Sequence, residues 1–126
     1  MFTHIMIGSN DLAKAKAFYA PVMKGLGFPE PSEMPNGNLF YSKDGIGFGI
    51  CTPANGDAAC HANGGTIGFK ASSKEQVDAF HAAGIANGGS CEGEPGVRQG
   101  APGAPYGAYL RDPDGNKICA FAGVTL

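Results

Sequence analysis

Four cysteines and three histidines are the side chains of this chain best suited to soft-metal ligation or to nucleophile and base chemistry. Cys51, Cys60, Cys91 and Cys119 share no C-x-x-C spacing and follow no export signal, so reduced, partly buried thiols are expected rather than a disulfide framework. Cys119 stands apart because it ends the run Tyr109-Leu110-Arg111-Asp112-Pro113-Asp114-Gly115-Asn116-Lys117-Ile118-Cys119, which reads as strand, tight reversal and strand. Pro113 presets φ, Asp112 and Asn116 can bond nearby backbone, and Gly115 accepts the positive φ that closes a hairpin. A second feature is the alternation Gly45, Gly47, Gly49, which leaves one strand face bare. Such a face either lets a ligand lie against backbone or packs tightly against a neighbouring element.

The elements that position these residues occur twice. Ala17-Phe18-Tyr19 returns as Ala79-Phe80-His81 and Gly27 as Gly89, both at an offset of 62 residues. The same offset carries His4-Ile5-Met6-Ile7 onto Thr66-Ile67-Gly68-Phe69, and Ser42-Lys43-Asp44-Gly45 matches Asp112-Pro113-Asp114-Gly115 at an offset of 70. The second copy therefore carries a longer loop, placed in the Gly/Pro-rich stretch Pro95 to Pro105. Each copy reads as a strand, a helix and three strands. The first helix follows the capping residues Ser9-Asn10-Asp11, with Leu12, Ala15, Phe18, Tyr19 and Val22 as its apolar stripe and Pro21 as a kink or restart. The second follows the capping-box pattern Ser73-Lys74-Glu75-Gln76, with Val77, Phe80 and Ile85 as its stripe and Gly88-Gly89 as its stop. Weaker strands are expected near residues 28–33 and 90–94, and hairpins turn at Lys43-Asp44-Gly45 and at Asp112 to Asn116. The reading is a single domain over 1–126: repeat one at 1–52, a connector at 53–65 and repeat two at 66–126. The fold class is α+β, two βαβββ repeats forming a cupped, mostly antiparallel sheet with helices on the outside.

The length, 126 residues, suffices for a core without disulfide or metal staples. A net charge of -2 with no gathered basic surface argues against nucleic acid as a partner. The start Met1-Phe2-Thr3-His4 shows no basic leader, and no apolar run approaches a membrane span, so a cytoplasmic, soluble protein without membrane association is expected.

With Asp11-Leu12, Phe18-Tyr19, Leu26-Gly27 and Asp112-Pro113-Asp114-Gly115-Asn116 set in a doubled unit, the chain resembles the vicinal oxygen chelate superfamily of glyoxalase I, bleomycin resistance proteins and extradiol dioxygenases. The resemblance implies a ligand-holding cup, formed within one chain or between the two of a homodimer. In enzymatic members it implies a divalent metal (Zn, Ni, Fe or Mn) held by a first-strand His, a fourth-strand Glu and their second-copy counterparts. Carried over residue by residue, these positions are His4, Gly49, Thr66 and Cys119, so His4 alone keeps a usual ligand. One imidazole does not hold a divalent ion where about three protein ligands are the norm. Substitutes are Cys51, on the strand face of Gly49, and Cys119, with His61 reaching from the connector. The loss of both carboxylates removes the base of the glyoxalase I reaction and a ligand of dioxygenase iron.

The function expected is therefore small-molecule binding with a degenerate metal site and no cofactor favoured. The alternative is a metal-dependent lyase or isomerase of lactoylglutathione lyase type using substitute ligands. Thiol-dependent catalysis at Cys119, with His4 as base, is a third option. By strand alternation Met6, Thr66, Cys119 and Phe121 would wall the cup beside His4 and Gly49, while the loop around Arg98 and Tyr106 would close over the small-molecule ligand. His81 is expected at a surface or interface.

Overall fold

The computed structural model describes residues 1–126. In chain order the elements are β1 (His4–Gly8), α1 (Leu12–Gly25), β2 (Ser32–Glu33), β3 (Leu39–Lys43), β4 (Ile46–Cys51), β5 (Ile67–Lys70), α2 (Lys74–Ala86), β6 (Ser90–Val97), β7 (Tyr106–Arg111) and β8 (Lys117–Ala122). They make two four-stranded sheets, ordered β1-β4-β3-β2 and β5-β8-β7-β6. In each, the first strand is parallel to the last and the remaining pairs are antiparallel. The registers repeat as well: Met6 lies opposite Gly49 in one half, and Gly68 opposite Cys119 in the other.

Capping chemistry starts both helices where the side chains predict. Asp11 accepts a hydrogen bond from the Lys14 amide at 3.1 Å, and Ser73 accepts one from the Gln76 amide at 3.2 Å. The reciprocal arm of the box is displaced by one residue, because the Gln76 side chain accepts from the Ser72 amide. Pro21 does not interrupt α1, which runs on to Gly25. Phe18, Tyr19, Val22 and Met23 are fully buried on either side of it, so tertiary packing offsets the lost hydrogen bond. The stripe of α2 differs from the expected one, since Ile85 is 45% exposed and Gly84 faces the interior against Leu110. Strand β2 is shorter and β6 longer than their sequences suggest, leaving residues 98–105 as the loop before β7.

A single cluster of 18 buried residues spans both halves. Tyr19 packs edge-on to Phe48 at 5.5 Å between centroids, Phe48 packs on Phe69 at 4.9 Å, and α1 lies against α2. Within one chain, the sheet faces that meet are thus the helix-covered ones. The turn at 112–116 locks this junction. Asp112, almost fully buried, accepts from the amides of Asp114 and Asn116 through Oδ1, and from the Tyr19 hydroxyl (2.7 Å) and the Asn116 side chain through Oδ2. Asn116 also donates to the Gly8 carbonyl, and the Asn10 amide donates to Asp114. Burial, reinforced by the Asp112 charge, raises the Tyr19 phenol well above its usual range. No helix is long and apolar enough to cross a membrane.

Candidate functional site

Each sheet turns its second face away from the helices. In the first sheet, burial of Phe48, Ile50, Leu39 and Tyr41 fixes the helix side, so alternation directs His4, Met6, Phe40, Gly47, Gly49 and Cys51 to the open side. The glycine strand is not bare there. A Cβ on Gly47 would strike the Phe40 ring and one on Gly49 the Met6 sulfur, so these two side chains lie across it. Met6 remains 41% exposed above it. His4 accompanies them, with Nδ1 2.9 Å from the Thr3 hydroxyl and its ring 6.2 Å from that of Phe40. Cys51 shares this side, yet it lies four residues beyond Gly47, the partner of His4, or about 13 Å along the strand. Its thiol donates to the Ile7 carbonyl at 3.4 Å.

The open side of the second sheet carries Gly107, Tyr109, Lys117, Cys119 and Phe121. Phe121 covers Gly107 and meets Tyr109 edge-on at 5.5 Å. Arg98 and Lys117 lie 5.7 and 5.1 Å from the Tyr109 ring, making an aromatic surface flanked by two cations. Arg98 donates to the carbonyls of Gly96 and Glu94. Cys119 is buried in this wall, and burial pushes its thiol up to about 11, an effect partly countered by the Lys117 charge. Thr66 is exposed one residue before β5. Tyr106 points the other way: it begins β7 and donates to Asp78 of α2 at 2.6 Å. His61 lies against Gly115 of the turn.

His4 and Cys119 therefore occupy different open faces. The hollow beside His4 is lined by first-half residues alone, and that beside Phe121 by second-half residues alone. A third hollow, about 480 Å³, is shared: Ile5, Phe28 and Phe48 from one half face Ile67 and Phe69 from the other, with Lys43 and Lys70 contributing. Sequence reasoning passed over Phe40, Tyr109 and Lys117. The first was recoverable from hairpin register, which sets Phe40 opposite Gly49, and the other two from alternation with Cys119 and its partner strand.

Two expectations change outright. His81 is not a surface residue but is buried, its Nε2 3.2 Å from the Cys91 sulfur. Cys60 and Cys91 are exposed rather than partly buried.

The family model of the Glyoxalase/Bleomycin resistance protein/Dioxygenase superfamily matches residues 1–120, and the chain belongs to that superfamily. It is similar to the crystal structure of a glyoxalase/bleomycin resistance protein from Albidiferax ferrireducens T118, with 54% identity, a TM-score of 0.91, and coverage of 97% of this chain and 98% of that one. More distant likenesses, which show the fold alone, include a glyoxalase-related enzyme from Fulvimarina pelagi (19% identity, TM-score 0.75, 98% and 88% of the two chains). Another is the lactoylglutathione lyase of Agrobacterium tumefaciens (23% identity, TM-score 0.68, 98% and 93%). No curated protein matches the chain.

A divalent metal at the positions the resemblance names does not fit the residues found there. Met6 and Phe40 fill the space over the two glycines, Thr66 and Cys119 stand where a His and a Glu would, and His4 is left as the one usual ligand.

Proposed function

We propose that this protein binds a small, partly aromatic or apolar molecule bearing a polar or anionic group, without the metal chemistry of the superfamily's enzymes. The observation that carries this reading is the replacement of ligands by packing: Met6 and Phe40 lie over Gly49 and Gly47, and Cys119 is buried against Gly68. What the open faces offer instead is apolar and cationic. Tyr109 and Phe121 present ring surface, while Arg98 and Lys117 supply positive charge beside it. A homodimer setting the His4, Met6 and Phe40 face of one chain against the Tyr109, Cys119 and Phe121 face of another would enclose the molecule from two sides. The glyoxalase-like lyase alternative is weakened by the same geometry, because neither position 49 nor position 119 offers a carboxylate to move a proton. Thiol catalysis is weakened by the raised Cys119 thiol, which is little ionised near neutrality.

Native mass spectrometry of protein purified without chelator tests the proposal, since subunit number, retained organic ligand and metal are read together. A dimer carrying a small organic molecule is expected, with retention lost in Tyr109→Ala and kept in Lys70→Ala. Stoichiometric Zn, Ni, Fe or Mn dependent on His4 would overturn it. Retention lost only in Lys70→Ala would move the site to the hollow between the halves and overturn the placement.

A further inference from the structure

We infer that His81, Cys91 and Glu94 form a zinc-type cation site on the helix side of the second half, on the opposite face of β6 from the open-side cluster around Tyr109. The three donor atoms lie within 4.8 Å of one another. The His81 Nε2 is 3.2 Å from the Cys91 sulfur, and that sulfur is 3.4 Å from the Glu94 Oε1. Around a tetrahedral Zn²⁺, with Zn–S near 2.3 Å and Zn–N and Zn–O near 2.0–2.2 Å, neighbouring donors stand about 3.4–3.6 Å apart. Two edges of such a tetrahedron are thus met to within about 0.4 Å. The third closes by rotation of Glu94, an exposed side chain.

Strand pairing explains why these donors converge. Residues three apart on a regular strand point to opposite faces, which would divide Cys91 from Glu94. Strand β6 shifts register between Cys91, paired with Leu110, and Gly93, paired with Tyr109, so Glu92 is an extra residue. One extra residue reverses the alternation and brings Glu94 back to the side of Cys91. Cys91 sits opposite Leu110, whose side chain packs on α2 at Gly84, and the same helix delivers His81 one turn earlier. Burial of the imidazole beside an exposed thiol and carboxylate leaves the fourth coordination position toward solvent.

The donor set selects the ion. A thiolate, an imidazole and a carboxylate suit a borderline-soft divalent cation, whereas Mg²⁺ and Ca²⁺ require oxygen cages. On binding, the Cys91 S–H bond breaks, its proton passes to solvent and the sulfur pair forms the Zn–S bond; no electron is transferred. The thiolate and carboxylate together neutralise the dication. Such a site would clip α2 to the edge strand β6, so metal binding should stabilise the fold.

Titrating chelator-stripped protein with Co²⁺ and then Zn²⁺ provides the test. One equivalent of Co²⁺ should produce a near-ultraviolet thiolate-to-cobalt absorption that one equivalent of Zn²⁺ displaces, and Zn²⁺ should raise the thermal midpoint. Cys91→Ser should abolish the absorption, and Glu94→Gln, a conservative change on an exposed side chain, should weaken zinc binding at least about tenfold. Cys119→Ala should leave both signals intact. No absorption at one equivalent, absorption that persists in Cys91→Ser, or absorption lost in Cys119→Ala would each overturn the site.

Discussion

Two tyrosines in one core should respond oppositely to losing the same atom. The Tyr19 hydroxyl is spent on Asp112, whereas the Tyr41 hydroxyl is buried without a partner. Burial, with a smaller contribution from Glu30, pushes the Tyr41 phenol up to about 12. Tyr19→Phe is expected to cost about 1–3 kcal/mol, because it strips a donor from a buried carboxylate. Tyr41→Phe should be neutral, or stabilising by up to about 1 kcal/mol, since it removes a polar group that folding desolvates without compensation. Urea denaturation of the two variants checks the contrast, and equal losses would refute it. The cysteines give a second residue-scale prediction. At pH 7.5, iodoacetamide should label exposed Cys60 well before Cys119, whose rate should climb only as pH approaches 11. Mass mapping that finds Cys119 modified as fast as Cys60 would contradict its burial as a protonated thiol.

Among the elements, glycines that look alike in sequence carry different loads. A Cβ at Gly89 would come within 2.8 Å of the Arg111 carbonyl oxygen and 2.9 Å of the Gly84 carbonyl oxygen, both backbone atoms with little freedom to move. At Gly49 the obstacle is the end of the Met6 side chain, which is flexible and partly in solvent. Gly89→Ala is therefore expected to destabilise by about 1–3 kcal/mol and Gly49→Ala by less than about 1 kcal/mol, measured by denaturant midpoint at unchanged m-value. Helix starts were legible because caps act over three residues, as at Asp11 and Ser73. The inward face of α2 was less so: periodicity nominates Ile85, but a neighbouring strand carrying Leu110 makes room for Gly84 instead. The bulge of β6 left no sequence signal that alternation could detect, and with it the meeting of His81, Cys91 and Glu94 stayed hidden.

For the molecule as a whole, burial of neutral acids shapes its response to alkali. Cys119 moves from 9.0 to about 11, Tyr41 from 10.0 to about 12, and Tyr19 rises as well. The folded chain keeps protons that the unfolded chain releases, so this stabilisation is complete below about pH 9 and fades as pH rises through the folded values. Replacing Cys119 with Ala should remove the component between about pH 9 and 11, roughly 2–3 kcal/mol for a shift of that size. Denaturation curves for wild type and Cys119→Ala across that range should converge as pH increases. Parallel curves would show that the thiol does not titrate with folding.

The duplicated strand-helix-three-strand order, both helix caps and the Asp112 to Asn116 turn were written in the sequence by itself, because each depends on contacts among residues a few positions apart. The resemblance carried by those motifs also pointed to the superfamily. Which faces join was decided by tertiary structure: Phe48 meets Phe69 and Tyr19 meets Asp112 across the chain, burying the helix sides and leaving His4 and Cys119 apart. The physical reason is that side-chain direction along a strand is local, whereas the packing of one sheet and helix layer on another is settled only by the summed burial of distant residues.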